Sequence, residues 1–170
     1  MLAELELDID NNTLYTGRYL SDIGIERYPL MLRKAIEEGS DDSLAADPSE
    51  PGLFNSYHQK RKPSGGFTEA KVPRTANTTL AEGEFNRFYL RGVCQRALAE
   101  GLARIEIYRA RESANPRQES EEMIGRRLIP AELLADLRAN SGVDTALGLP
   151  PGPNSGLSGR INGKEHGSGH

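Results

Sequence analysis

Glu4, Glu6, Asp8 and Asp10 place four carboxylates at alternate positions near the start of the chain. Carboxylates so close together are the usual ligands of a hard cation, and Asp8-Ile9-Asp10-Asn11-Asn12 opens as a calcium loop opens. The pattern then fails. Thr13 stands where the sharp-turn glycine belongs, and Tyr19 stands where a bidentate glutamate is required. The four carboxylates therefore read as a solvated strand face, an acidic counter-surface for something basic.

Other chemistry-bearing patterns end similarly. Gly159-Arg160-Ile161-Asn162-Gly163-Lys164 is one residue short between its glycines for a phosphate loop and has no Ser or Thr after the lysine. Gly156-Leu157-Ser158-Gly159 is one residue short of a nucleophile elbow. Of three histidines, His58 sits in a basic segment, while His166 and His170 lie in a glycine-rich tail with nothing to hold an imidazole rigid. The single cysteine, Cys94, excludes an internal disulfide and a Cys-rich zinc cluster, and its apolar helical surroundings mark it as a small core residue. No catalytic, cofactor-binding or metal-ligating residue stands out, and no cofactor is expected.

Lys60-Arg61-Lys62 is the remaining cluster. Tyr57 and Phe67 flank it, and Arg74, Arg87 and Arg91 extend it along the chain. Cations on a glycine-containing loop can follow phosphates while the aromatic rings stack on bases, so this is the nucleic-acid candidate. The same cations suit a contact between subunits.

The charge distribution sharpens that choice. Residues 1–55 carry 12 acids against 4 bases, whereas residues 56–129 carry 14 bases against 9 acids, within a chain of net charge −4. An acidic front and a basic middle attract each other within a fold or between copies. The 170 residues are 36% hydrophobic with no Trp, and Gly and Pro supply 28 of them, so the core is lean. No apolar run approaches the roughly 18 residues that cross a bilayer. Met1-Leu2-Ala3-Glu4 lacks the basic and apolar regions of a secretion signal, which leads us to expect cytoplasmic synthesis.

The elements that must position these residues follow from periodicity. Alternation over 3–10, a turn at Asn11-Asn12 and β-formers from Thr13 to Leu20 predict a hairpin over 3–20, with Gly17 a bulge. A helix should start at Pro29 and stop at Gly39 with Leu32, Ala35 and Ile36 on one side; residues 40–51 read as an acidic surface loop. An exposed basic loop around 56–66 leads to a short strand over 67–72. The principal helix runs from about Thr79 to Glu100, capped by Thr78 or Thr79 and stopped at Gly101, with Glu84, Arg87, Arg91 and Gln95 on a narrow polar side. Arg96 falls among its apolar positions and would need a carboxylate or an interface. A strand over 104–109 with Ile105 and Ile107 inward comes next, then a short helix near Glu119–Glu122. A last helix from Pro130 to Arg138 buries Leu133, Leu134 and Leu137 and is ended by Gly142.

The resulting expectation is an α+β fold: a small mixed or antiparallel sheet on one long central helix, as a single domain over 1–142, followed by a Gly/Pro-rich arm over 143–170. A small core with long polar segments and opposite charge in neighbouring regions fits a non-enzymatic structural or accessory subunit of a larger homomeric assembly, of shell, sheath or virion type. The partners would be copies of the chain or other proteins of the assembly, with no membrane. The alternative is a small nucleic-acid-binding accessory protein acting through the basic loop. A third reading is an enzyme whose site is assembled from scattered Arg, Glu and Tyr residues.

Overall fold

The computed structural model describes residues 1–46, 50–112, 118–141 and 156–162, with backbone only at residues 41 and 46. The chain divides into two compact units, Leu2–Phe85 and Asn86–His170, the second including Met1. The fold is α+β, with two small antiparallel sheets and a long helix packed against strands.

In the first unit the chain opens as helix α1 (Leu2–Asp10), not as the expected strand. Leu, Glu and Ala are strong helix formers, and Ile9 is the one β-branched residue in LAELELDID, so propensity prevails over the period-two pattern. Glu4, Leu5 and Asp8 lie together on the buried side, which a helix brings together at i, i+1 and i+4. Asn11-Asn12 still reverses the chain, but as a helix cap. Asn12 takes φ 54°, its N–H donates to Ile9 O, and Thr13 N–H donates to Asp8 O at 2.8 Å, the paired bonds of a left-handed C-cap. Residues 13–20 are irregular apart from a bridge between Leu20 and Phe54.

Helix α2 (Asp22–Glu38) begins seven residues before the expected start, so Pro29 lies inside it. Ser21 is the true N-cap: its Oγ accepts from Gly24 N–H at 3.1 Å and donates to Gly52 O. Gly24 approaches Leu53 so closely that an added Cβ would lie 2.1 Å from Leu53 O. Gly39 ends the helix at φ 78°, and Tyr28, Leu32, Ala35 and Ile36 face the interior. Helix α3 (Asp41–Ala46) replaces part of the expected acidic loop and buries Leu44. Strands β1 (Tyr57–Arg61) and β2 (Phe67–Lys71) then form a ribbon, so Lys60 and Arg61 belong to a strand and not to the loop expected there.

Helix α4 (Ala76–Ala99) contains the boundary between the units. Thr75, not Thr78 or Thr79, precedes it, and its carbonyl accepts from Thr79 N–H. Gly101 takes φ 68° at its end, with Leu102 N–H reaching back to Ala97 O. The expected polar side is largely internal: Glu84, Arg87 and Arg91 are buried and each has polar or ionic partners. Arg96, expected among the buried positions, is exposed and pairs with Glu100 at 2.7 Å.

The second unit sets the remaining turns of α4 against strand β3 (Ile105–Arg109), helix α5 (Gln118–Met123), strand β4 (Arg127–Leu128), helix α6 (Pro130–Ala139) and strand β5 (Leu157–Arg160). The sheet order is β4-β3-β5, all antiparallel. Leu90, Cys94 and Ala97 of α4 meet Ile105, Ile107, Leu133, Leu134, Leu137 and Leu157 in one apolar core. Strand β5 falls within the stretch expected to be an extended arm, and Leu157, Ser158 and Gly159 in it are buried. Residues 143–155 and 163–170 of that stretch, and Gly142 before it, lie outside the described residues. Asn86 clamps β5: its Nδ2 donates to Leu157 O, and Ser158 Oγ donates to its Oδ1, both at 2.8 Å. Arg87 donates through Nη1 to Leu137 O and Asn140 O at 2.9 Å, a guanidinium satisfying carbonyls at the end of α6.

Two substitutions test this packing. A Cβ on Gly159 would sit 2.9 Å from Leu90 Cδ2, so Gly159→Ala should cost about 1–3 kcal/mol by overpacking, read from the urea midpoint. An unchanged midpoint would mean that the helix does not rest on this strand. Tyr28 is buried with no hydrogen-bond partner for its hydroxyl among the described residues. Burial, then the Glu84 carboxylate and Tyr15, hold its pKa well above the ordinary tyrosine value. The neutral phenol is the folded form. Its contribution is full below the unfolded pKa near 10 and drains away as pH rises toward the folded value. Tyr28→Phe should leave neutral-pH stability equal or up to about 1 kcal/mol higher, with a flatter alkaline limb in pH-dependent melting. A clear loss at neutral pH would mean that the hydroxyl is satisfied.

Candidate interaction surface

The ribbon is the part of the chain that brings several of the singled-out residues together in the open. Its turn is chemically specified by Lys62-Pro63-Ser64-Gly65-Gly66. Lys62 O accepts from Gly65 N–H at 3.0 Å with Pro63 at the second position, and Gly65 and Gly66 take φ 90° and 78°. Proline there sets the φ that such a turn wants, and glycine accepts the left-handed geometry that follows. At the other end, Asn55 ties the ribbon base to the first unit. Its N–H donates to Tyr19 O, and its Nδ2 donates to Leu20 O.

Registration pairs Tyr57 with Lys71, His58 with Ala70, Gln59 with Glu69, Lys60 with Thr68 and Arg61 with Phe67. Side chains alternate across a strand, so the odd-numbered residues share one face. Tyr57, Gln59, Arg61, Phe67, Glu69 and Lys71 are all exposed there. The opposite face is anchored by its half-buried pair, His58 and Ala70, and the His58 ring meets the edge of Tyr19 with centroids 4.9 Å apart. His58 is therefore engaged in packing. Lys60, Arg61, Lys62, Lys71 and Arg74 are exposed around the ribbon, with Glu69 the single acid between residues 57 and 74.

The main chain adds what side chains alone do not reveal. Lys62 N–H donates to Gly66 O and Val72 N–H to Ser56 O, so the even-numbered pairs exchange hydrogen bonds across the ribbon. Bonded and non-bonded pairs alternate in an antiparallel ladder. The N–H and C=O groups of Tyr57, Gln59 and Arg61 on one edge, and of Phe67, Glu69 and Lys71 on the other, therefore point outward. No described residue pairs with them. Such edges are templates for another strand. A cleft of about 340 Å³ lies at the ribbon base, lined among others by Asn55, Ser56, Arg74 and Asn77.

The other singled-out residues are placed elsewhere. Arg87 and Arg91 are buried and contribute nothing to the exposed basic surface. Glu4 and Asp8 are buried as well, so two of the four carboxylates are not available as a counter-surface; Asp10 is exposed, and half-buried Glu6 pairs with Arg33 at 2.7 Å. Burial reverses the sequence expectation because a helix, unlike a strand, puts Glu4 and Asp8 on the same side as Leu5. Ser158 is a structural hydroxyl bonded to Asn86. His166 and His170 lie outside the described residues.

Sequence reasoning passed over Glu69 and Lys71. The signal was present in the Pro-Ser-Gly-Gly turn, with five residues of strand on either side of it.

A second surface lies in the second unit, where Tyr89, Gly92, Val93, Arg96, Arg160 and Ile161 line a cleft of about 430 Å³. Arg160 pairs with Glu106 at 2.6 Å and stacks over Tyr108. The side-chain hydrogen bonds from Asn162 and Arg160 hold the Glu106 carboxyl below its ordinary value. These contacts fasten β5 to β3. Among the described residues no three His, Cys, Asp or Glu side chains converge as a metal site, and no helix is long and apolar enough to cross a membrane. No protein-family model, no curated protein and no solved structure matches this chain.

The ribbon's outer cations carry little of the fold. Replacing Lys60, Arg61 and Lys62 together with Glu should leave the unfolding free energy within about 0.5 kcal/mol per substitution, as for other exposed positions. A cooperative loss of folding in thermal melts would contradict their placement.

Proposed function

We propose that the chain is a non-enzymatic structural or accessory subunit of a larger homomeric assembly, with a shell, sheath or virion-type particle as its setting. The observation that supports this best is the ribbon's main chain. Six residues direct backbone donors and acceptors outward from a two-stranded element that is exposed on most of both faces. Two strands alone are marginal in water, whereas three or more with a covered face are stable. An added strand from another subunit would satisfy the edge and cover Tyr57 or Phe67, both at least half exposed.

A second reading rests on the exposed cations. Lys60, Arg61, Lys62, Lys71 and Arg74 beside two aromatic rings suit a phosphate backbone with stacked bases, which would make the chain a nucleic-acid-binding accessory protein. The main-chain edge favours assembly, because nucleic acid leaves a strand edge unpaired.

Light scattering of the full chain over a range of concentration and salt separates the two. Assembly predicts a mass above that of one chain that rises with concentration. A single-chain mass throughout, with DNA or RNA affinity that falls steeply as salt is raised, would overturn it in favour of the second reading.

A further inference from the structure

We infer that the outer edge of β2 pairs with β2 of a second copy of this chain, antiparallel about a two-fold axis at Ala70, to make a continuous four-stranded sheet. The inference rests on the assembly reading and gives it a surface and a register.

The register follows from the direction of the backbone groups and from charge. Only the odd-numbered residues of β2 point N–H and C=O outward, so a second β2 must set odd residues opposite odd residues. With Ala70 opposite Ala70, Glu69 faces the second copy's Lys71 and Lys71 faces its Glu69. The symmetry makes two ion pairs from one sequence, flanking the axis on the exposed face. Phe67, 66% exposed, falls opposite Pro73, and Thr68 falls opposite Val72, which gives the ring an apolar neighbour. Sliding the strands until Glu69 faces Glu69 sets like charges directly opposite, which is unfavourable. Pairing through β1 offers no such ion pair, because Tyr57–Arg61 and the following Lys62 carry cations and no carboxylate. The β2 edge is thus the self-complementary one, as a two-fold contact requires.

Charge reversal tests this with the full chain. Glu69→Lys creates two Lys–Lys contacts in the dimer, and Lys71→Glu creates two Glu–Glu contacts. Each single variant should raise the dimer dissociation constant about ten-fold, as two cross-strand pairs lost to repulsion would. The double variant E69K/K71E rebuilds both pairs with their signs exchanged and should return to within about three-fold of the parent. Sedimentation equilibrium reads all four proteins, and thermal melts check that each is folded. Restoration by the double variant supports the two-fold edge. If the parent self-associates and the variants do not alter it, or the double variant is as weak as the singles, this edge is overturned while assembly through another surface stands. If the parent is a monomer at every concentration, both readings fall. Nucleic-acid binding that Glu69→Lys strengthens and Lys71→Glu weakens, with self-association unaffected, also overturns the edge.

Discussion

A backbone amide or carbonyl taken out of water must find a partner, and most of this architecture consists of ways of meeting that demand. Asn12 and Gly101 turn the chain through left-handed geometry so that the last carbonyls of α1 and α4 accept returning amides. Ser21 closes the start of α2 with its hydroxyl and bonds residues 52 and 53 through side chain and main chain. Arg87 serves the end of α6, and Asn86 serves β5. The ribbon is where the demand is left for water to meet. Its inner backbone groups are paired, and its outer groups face solvent on both edges.

Polar side chains rather than a large apolar mass organise the interior. The apolar cluster of the second unit is assembled from Leu, Ile, Ala, Met123 and Cys94, and Gly159 has to be a glycine for Leu90 to settle on the sheet. Fully buried Arg87 and Arg91 are expensive unless their hydrogen bonds are met, and each has partners. Such residues tie a lean core to one arrangement. They also explain why the net basic charge of the middle segment overstates its exposed positive surface: some of the arginines counted there are internal.

Parts of this were legible in the sequence. The inward Ile105 and Ile107, the stripe of Leu133, Leu134 and Leu137, the burial of Cys94 and the stops at Gly39 and Gly101 all follow from local pattern, because packing there agrees with propensity and turn chemistry. The failures have physical causes too. Alternating Leu and Glu satisfies a strand's period and a helix's propensity at once, and nothing local decides between them. Pro29 marks a helix start as readily as an interior that tolerates a missing bond, so α2 appears too short. Glu84, Arg87 and Arg91 share a polar stripe, and a stripe alone does not say whether water or buried partners receive it. Strand β5 is four residues that gain meaning only beside β3. At the ribbon, the cations were visible by type, but which backbone groups face outward depends on register, which appears only once Tyr57 is known to face Lys71.

An open edge with self-complementary charge is a specific kind of surface, since it recognises backbone and register together and is satisfied by another copy of itself. It can be observed one amide at a time. Residue-resolved amide hydrogen exchange at low and high protein concentration should show the Glu69 and Lys71 amides exchanging freely when dilute and becoming protected as concentration rises, while the Thr68 and Ala70 amides, already turned into the ribbon, change little. Equal, rapid exchange of Glu69 and Lys71 at both concentrations would contradict the pairing of this edge with a second copy.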